Sequence, residues 1–229
     1  PSLRFRPMQS RPAAAGRRVL RALVVTLAAF EYRLAKTLAP YNEVAVMFPV
    51  RYRPKSNTLL LPLLWPDEYK VGFWVHHLPV TTPQARNVGI GVWNLPKVVA
   101  HITFRDVGWT RECELQEDGQ KVLTLCSSMG ETRFEARRFY AFSRRDRKLL
   151  KSMVDTQAEY YAWNVPGGAW FELGTHPIAQ ELRTLEIQNL AIAGLFAFSA
   201  RSRLHKGVEI ATLPAVAPSA LEEQSGRRA

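Results

Sequence analysis

Apolar and polar positions along the chain follow two rhythms, one alternating and one closer to helical spacing. Residues Glu43 to Arg53 are mostly apolar and end in polar alternation, which predicts a strand. Val71 to Leu78 is rich in aromatic and β-branched residues and predicts another, stopped by Pro79. Lys97 to Phe104 has the strongest strand pattern in the chain. Arg111 to Gln116 and Lys121 to Ser127 flank Asp118-Gly119, a two-residue hairpin turn. Arg133 to Phe142 and Ala191 to Ala200 complete the clear strands. Residues 19 to 32 are apolar enough for a strand, although their alanines leave a helix open.

The helical rhythm is confined to a few places. Thr82 followed by Pro83 is a helix start, with threonine as cap and proline in the first turn. Gly89 and Gly91 should keep that helix short. Leu149, Leu150, Met153 and Val154 lie near helical spacing, so a helix is expected over Arg145 to Ala162. Thr175-His176-Pro177 opens a second capped helix running to Leu185. No internal repeat is visible. Strands dominate and helices lie outside them, so the expected class is α+β, an antiparallel β-barrel or sandwich with peripheral helices.

At 229 residues and 47% hydrophobic content the chain suits one domain with a real core. That domain is expected over 17–212, with a basic flexible arm at 1–16 and a disordered tail at 213–229. A chain opening on Pro1 is expected to have lost its true start. Arg17 to Phe30 imitates a targeting segment, but Arg21 interrupts it and no small-residue cleavage site follows. No run of eighteen apolar residues offers a membrane helix. The formal charge of +11 is dispersed arginine, with no nucleic-acid recognition motif beside it, so neither nucleic acid nor membrane is an expected partner. The expected turn sets Cys113 opposite Thr124 and leaves Cys126 diagonal to it, a poor disulfide geometry. Two free thiols point to a reducing, cytoplasmic setting.

Lys97 then changes the picture. The chain has eight lysines, and seven have polar neighbours or lie in turns. Lys97 sits among Val92, Trp93, Leu95, Pro96, Val98, Val99 and Ala100. Burial in such a run strips hydration from an ammonium and favours the neutral amine. Bringing a lysine from about 10.4 to near 7 takes roughly 4 to 5 kcal/mol. A neutral amine attacks a ketone or aldehyde to form an imine, which then withdraws electrons from the adjacent bond. The competing reading is an edge lysine reaching water, which Pro96 also suits.

Leu78-Pro-Val-Thr-Thr82, Ala85-Arg86, Gly89, Trp93-Asn-Leu-Pro-Lys97 and Ala100-His-Ile102 together resemble the acetoacetate decarboxylase family. Tyr41-Asn-Glu43 and the strand through Pro49-Val50 resemble that family's acidic segment, and Gly174-Thr-His-Pro177 is a weaker echo. The resemblance implies a closed, cone-like β-barrel with a buried pocket, no metal, no organic cofactor, and a tendency to homo-oligomers. It identifies Lys97 with the Schiff-base lysine, and acetoacetate decarboxylase is itself a standing example of a lysine activated by its surroundings. Glu43 matches the acidic residue of the upstream block, and Glu31 a second pocket carboxylate. Two positions depart: the decarboxylase has a second lysine where this chain has Val98, and Gly-Arg-Glu where it has Gly89-Ile90-Gly91.

The remaining candidates are weaker. Trp93 can wall a pocket or fill core. His76 and His77 should point to opposite strand faces, leaving His76 a pocket residue and no metal-ligand spacing. His176 reads as a helix cap. Gly89-Ile-Gly91 lacks a dinucleotide fingerprint, and Ser127-Ser128 lack a nucleophile elbow. The expected function is a Schiff-base lyase acting through Lys97 on a small keto acid or other carbonyl compound, by decarboxylation or by aldol or dehydration chemistry. The alternative is a non-catalytic barrel of the same fold that binds a small molecule.

Overall fold

The computed structural model describes residues 24–35, 37–51, 71–163 and 166–212. The expected arm and tail, and the ends of two expected strands at residues 19–23 and 52–53, lie outside the described residues. Among the described residues thirteen elements follow in order: β1 (Thr26–Tyr32), β2 (Tyr41–Arg51), β3 (Val71–His77), α1 (Pro83–Trp93), β4 (His101–Val107), β5 (Thr110–Glu117), β6 (Gln120–Ser128), β7 (Arg133–Arg145), β8 (Lys148–Trp163), β9 (Ala169–Leu173), α2 (Pro177–Thr184), β10 (Gly194–Leu204) and β11 (Val208–Thr212). A seven-stranded sheet runs β1-β2-β3-β7-β8-β10, with β11 also on β8. A four-stranded sheet runs β4-β5-β6-β9. Pairing is antiparallel except between β3 and β7, which run parallel.

The two sheets bury a common core. Val44 and Val46 of β2 meet Ile102, Cys113, Leu115, Val122 and Leu123 of the smaller sheet, and Leu182 of α2 closes the cluster. Burying a leucine this fully is worth about 1.5–3 kcal/mol. The opposite face of β2 supplies a second cluster, where Ala45 and Met47 pack with Val75, Leu78 and Leu95. Thus β2 is covered on both sides, which is why its sequence reads as a nearly unbroken apolar run.

Several expectations need correction. The helix expected over Arg145 to Ala162 is the long strand β8. It lies between β7 and the β10–β11 pair, and buries Leu150, Ser152, Thr156 and Ala158 at even spacing. Its β-branched and aromatic residues suit a central strand better than a helix. In contrast, α1 runs through both of its glycines to Trp93. The strand expected from Lys97 begins only at His101. An extra residue in β6 near Val122 shifts the hairpin register, so Cys113 faces Leu125 instead of Thr124. Both cysteines are free and buried, and burial pushes their thiols up to about 12 and about 11, so they are inert. Strands β9 and β11 are not foreshadowed by the residue pattern.

Candidate active site

The site lies where the two sheets are hooked together. Val80, fully buried, bridges Glu43 of β2 on one side and Val99 on the other. On the β2 side Val44 N–H donates to the Pro79 carbonyl at 3.0 Å and Thr81 N–H to the Asn42 carbonyl at 3.0 Å. On the other side Val80 N–H donates to the Val98 carbonyl and Ala100 N–H to the Val80 carbonyl, both at 2.9 Å. These four bonds bring the segment after α1 alongside Glu43.

Helix α1 delivers Lys97 to that seam. Thr82 caps it by accepting from Ala85 N–H at 3.2 Å. Asn94 ends it in the left-handed region at φ 50°, a conformation asparagine tolerates better than most residues. Leu95 then drops into the core, and Lys97 N–H donates to the Leu95 carbonyl at 2.8 Å around Pro96. This tight turn points Lys97 inward, and the residue is 8% exposed. Its stem runs over Gly89: a Cβ there would stand 2.4 Å from Lys97 Cδ. Gly89→Ala is therefore expected to displace the amine while leaving the core intact. The check is a rate of keto-acid adduct formation at least about tenfold lower, one contact's worth of misplacement, with a melting temperature close to that of the parent.

Lys97 Nζ donates to Glu43 Oε2 at 2.5 Å, and both side chains are enclosed. Alternation along β2 puts Tyr41 on the same face as Glu43, and pairing with β1 puts Tyr32 opposite Tyr41. The two tyrosine rings stack with centroids 4.6 Å apart, and Lys97 Nζ lies 5.5 Å from the Tyr41 ring centre. Tyr32 thus stands on the Glu43 side of the β1–β2 pair. Desolvation raises the Glu43 carboxyl above the ordinary 4.5, and outweighs the pull of Lys97 in the other direction. Burial first, and then the Glu43 charge, hold the Tyr32 and Tyr41 phenols above their usual range, so both remain proton donors. An amine, an acid of raised proton affinity and two phenols thus share one enclosed spot.

The sequence profile of the acetoacetate decarboxylase family matches residues 19–209. The chain belongs to this family. Among solved structures, the acetoacetate decarboxylase from Legionella pneumophila superposes with a TM-score of 0.57 at 14% identity, over 82% of this chain and 74% of its own. A second acetoacetate decarboxylase structure gives 0.51 at 15%, over 77% and 71%. The enduracididine biosynthesis enzyme MppR, complexed with the condensation product of pyruvate and imidazole 4-carboxaldehyde, gives 0.51 at 13%, over 75% and 66%. No curated protein sequence matches the chain. At these identities the likeness to the solved structures is one of fold, and it agrees with the strand-dominated body with peripheral helices expected from the sequence.

Seen as a member of the acetoacetate decarboxylase family, the chain brings Lys97 and Glu43 together and leaves the other expected site residues elsewhere. Glu31 pairs with Asn42 in the β1–β2 register and so takes the face opposite Glu43. It is exposed and held by Arg111 and by Arg33. Trp93 packs at the rim of the second core cluster and donates its Nε1–H to the His205 carbonyl at 2.8 Å. His76 Nε2 lies 2.7 Å from Glu181 of α2. Val98, where the decarboxylase carries its second lysine, is exposed. Tyr32 and Tyr41 are the functional candidates that sequence reading missed. The signal was present: residues two apart from Glu43 on β2, and their partners across the hairpin, must share its face.

Proposed function

We propose that this chain is a Schiff-base lyase acting on a small keto acid, with Lys97 as the nucleophile and Glu43 as its proton partner. The contact at 2.5 Å between a buried amine and a carboxyl of raised proton affinity carries this reading. Glu43 takes the ammonium proton, and the freed Nζ lone pair attacks the carbonyl carbon. The carbinolamine loses water to give a protonated imine. For a β-keto acid, the bond to the carboxylate then breaks, its electron pair moves toward the imine nitrogen, and carbon dioxide leaves an enamine. Protonation at carbon and hydrolysis return the free lysine. Tyr32, on the face that carries Glu43, is a second proton donor beside the acid. The enamine also attacks aldehydes, and since MppR holds a condensation product of pyruvate, pyruvate with an aldehyde belongs among the trial substrates.

Borohydride reduction in the presence of a keto-acid panel, read by peptide mass spectrometry, tests the proposal. A reduced adduct on the Lys97 peptide supports it. Tight ligand binding without any reducible adduct overturns it in favour of a binding barrel, the reading that Val98 in place of a second lysine suits best. A pH profile adds a second check. Glu43 must be ionised to accept the amine proton, and its carboxyl titrates above the ordinary 4.5. The rate of adduct formation is therefore expected to fall on acidification through a pH above 4.5, and that acid limb should vanish in Glu43→Gln.

A further inference from the structure

Adjacent residues of a regular strand point to opposite faces, but His76 and His77 do not. Val46 pairs with His77 while the next residue, Met47, pairs with Val75, so β3 carries one extra residue at His76. Such a bulge re-aims side chains, and here it brings both imidazoles to one side, with ring centres 4.4 Å apart. Phe48 of β2 holds the His76 ring edge-on at 5.3 Å. The two Nε2 atoms reach the two oxygens of a single carboxylate: His76 to Glu181 Oε1 at 2.7 Å and His77 to Oε2 at 2.8 Å. Glu181 stands on α2, which Ala179 and Leu182 anchor in the core.

We propose that His76, His77 and Glu181 form a binding site for a divalent transition-metal ion, with Zn²⁺ as the natural occupant. The three ligand atoms lie within 4.8 Å of one another. A tetrahedral zinc with bonds of about 2.0–2.2 Å needs ligand separations of roughly 3.4 Å, so side-chain rotation of about an ångström closes the set. Two imidazoles and one carboxylate are a standard zinc donor set, and nitrogen donors select against magnesium and calcium. On binding, the Nε2 lone pairs take the ion, and any proton on Nε2 moves to Nδ1 or to solvent. The partial exposure of all three side chains leaves a path for the ion and room for water as a fourth ligand. Its effect is a clamp: β3 belongs to the larger sheet, whereas α2 packs on β6 and β9 of the smaller one. The ion therefore ties the two sheets together through side chains, apart from the Lys97 chemistry.

The full chain, stripped with a chelator and dialysed against Zn²⁺ alone, is expected to retain one ion per chain by plasma mass spectrometry. Its melting temperature should rise with Zn²⁺ and not with Mg²⁺. His77→Ala and Glu181→Gln should each weaken retention at least about tenfold, the least that disturbing a metal's surroundings costs. Glu181→Gln keeps the size of the side chain, so it reports on the site even where His77→Ala perturbs the bulge. His205→Ala, outside the site, and Lys97→Ala should bind as the parent does. Substoichiometric zinc in the parent, or zinc retained equally by His77→Ala and Glu181→Gln, overturns the proposal.

Discussion

Lys97→Met will fold and yield no reducible adduct with any keto acid. Methionine keeps the length and apolar bulk of the lysine stem that lies against Gly89, while removing the nitrogen on which an imine forms. Turnover of a true substrate should fall by roughly a thousandfold or more, as when other covalent nucleophiles are removed. Stability will fall too, because Glu43 stays enclosed without its cation. The carboxyl escapes by holding a proton, a cost that grows as pH climbs above its ordinary 4.5. The sign follows from linkage: a carboxyl raised by folding is harmless below its unfolded value and costs stability increasingly as pH climbs from there to its folded value. Denaturation of Lys97→Met should therefore show a deficit that grows from pH 5 to pH 8. An adduct surviving at another lysine, with turnover intact, would remove Lys97 from the chemistry.

Glu43→Gln should slow adduct formation by about 10²- to 10⁴-fold, the usual contribution of a positioned acid or base. Its stability loss is of the opposite kind. The enclosed ammonium loses its partner at 2.5 Å, and an orphaned buried ion costs about 3–5 kcal/mol. Only the Lys97→Met deficit is expected to grow with pH, a pattern that no loss of packing produces. The double variant, Lys97→Met with Glu43→Gln, removes both charges at nearly constant volume. It should recover most of the lost stability, since isosteric replacement of a buried ion pair is often close to neutral. Guanidinium titrations of the four proteins at pH 5 and pH 8 measure all of this. A double variant no more stable than the singles would show that the pair matters through shape alone.

Both residues of that pair are legible in the sequence, Lys97 from its apolar setting and Glu43 from the matching block. So are the Thr82 cap, the Asp118-Gly119 turn and the His176 cap, because each is a local motif with its own hydrogen bond. Sequence and structure part where one extra or offset residue changes a face. Glu31 reads as a pocket acid, yet Tyr32 beside it is the one facing Glu43. Regular alternation sets His76 and His77 on opposite faces, and a bulge puts them on one. The histidine offset does not show in a pattern of residue types, since a bulge is fixed by what the strand pairs with. Strand β8 differs for another reason. Its apolar spacing fits a helix, and strands on both sides, with its β-branched and aromatic residues, override that spacing.

The four main-chain bonds around Val80 have a further consequence. They are made by peptide groups, which every amino acid except proline supplies alike. The approach of the Lys97 segment to Glu43 is therefore written first in the backbone, and packing such as that of Gly89 against the lysine stem refines it. Side chains away from this seam can change without touching those four bonds, in keeping with a fold that superposes on a solved structure at 14% identity.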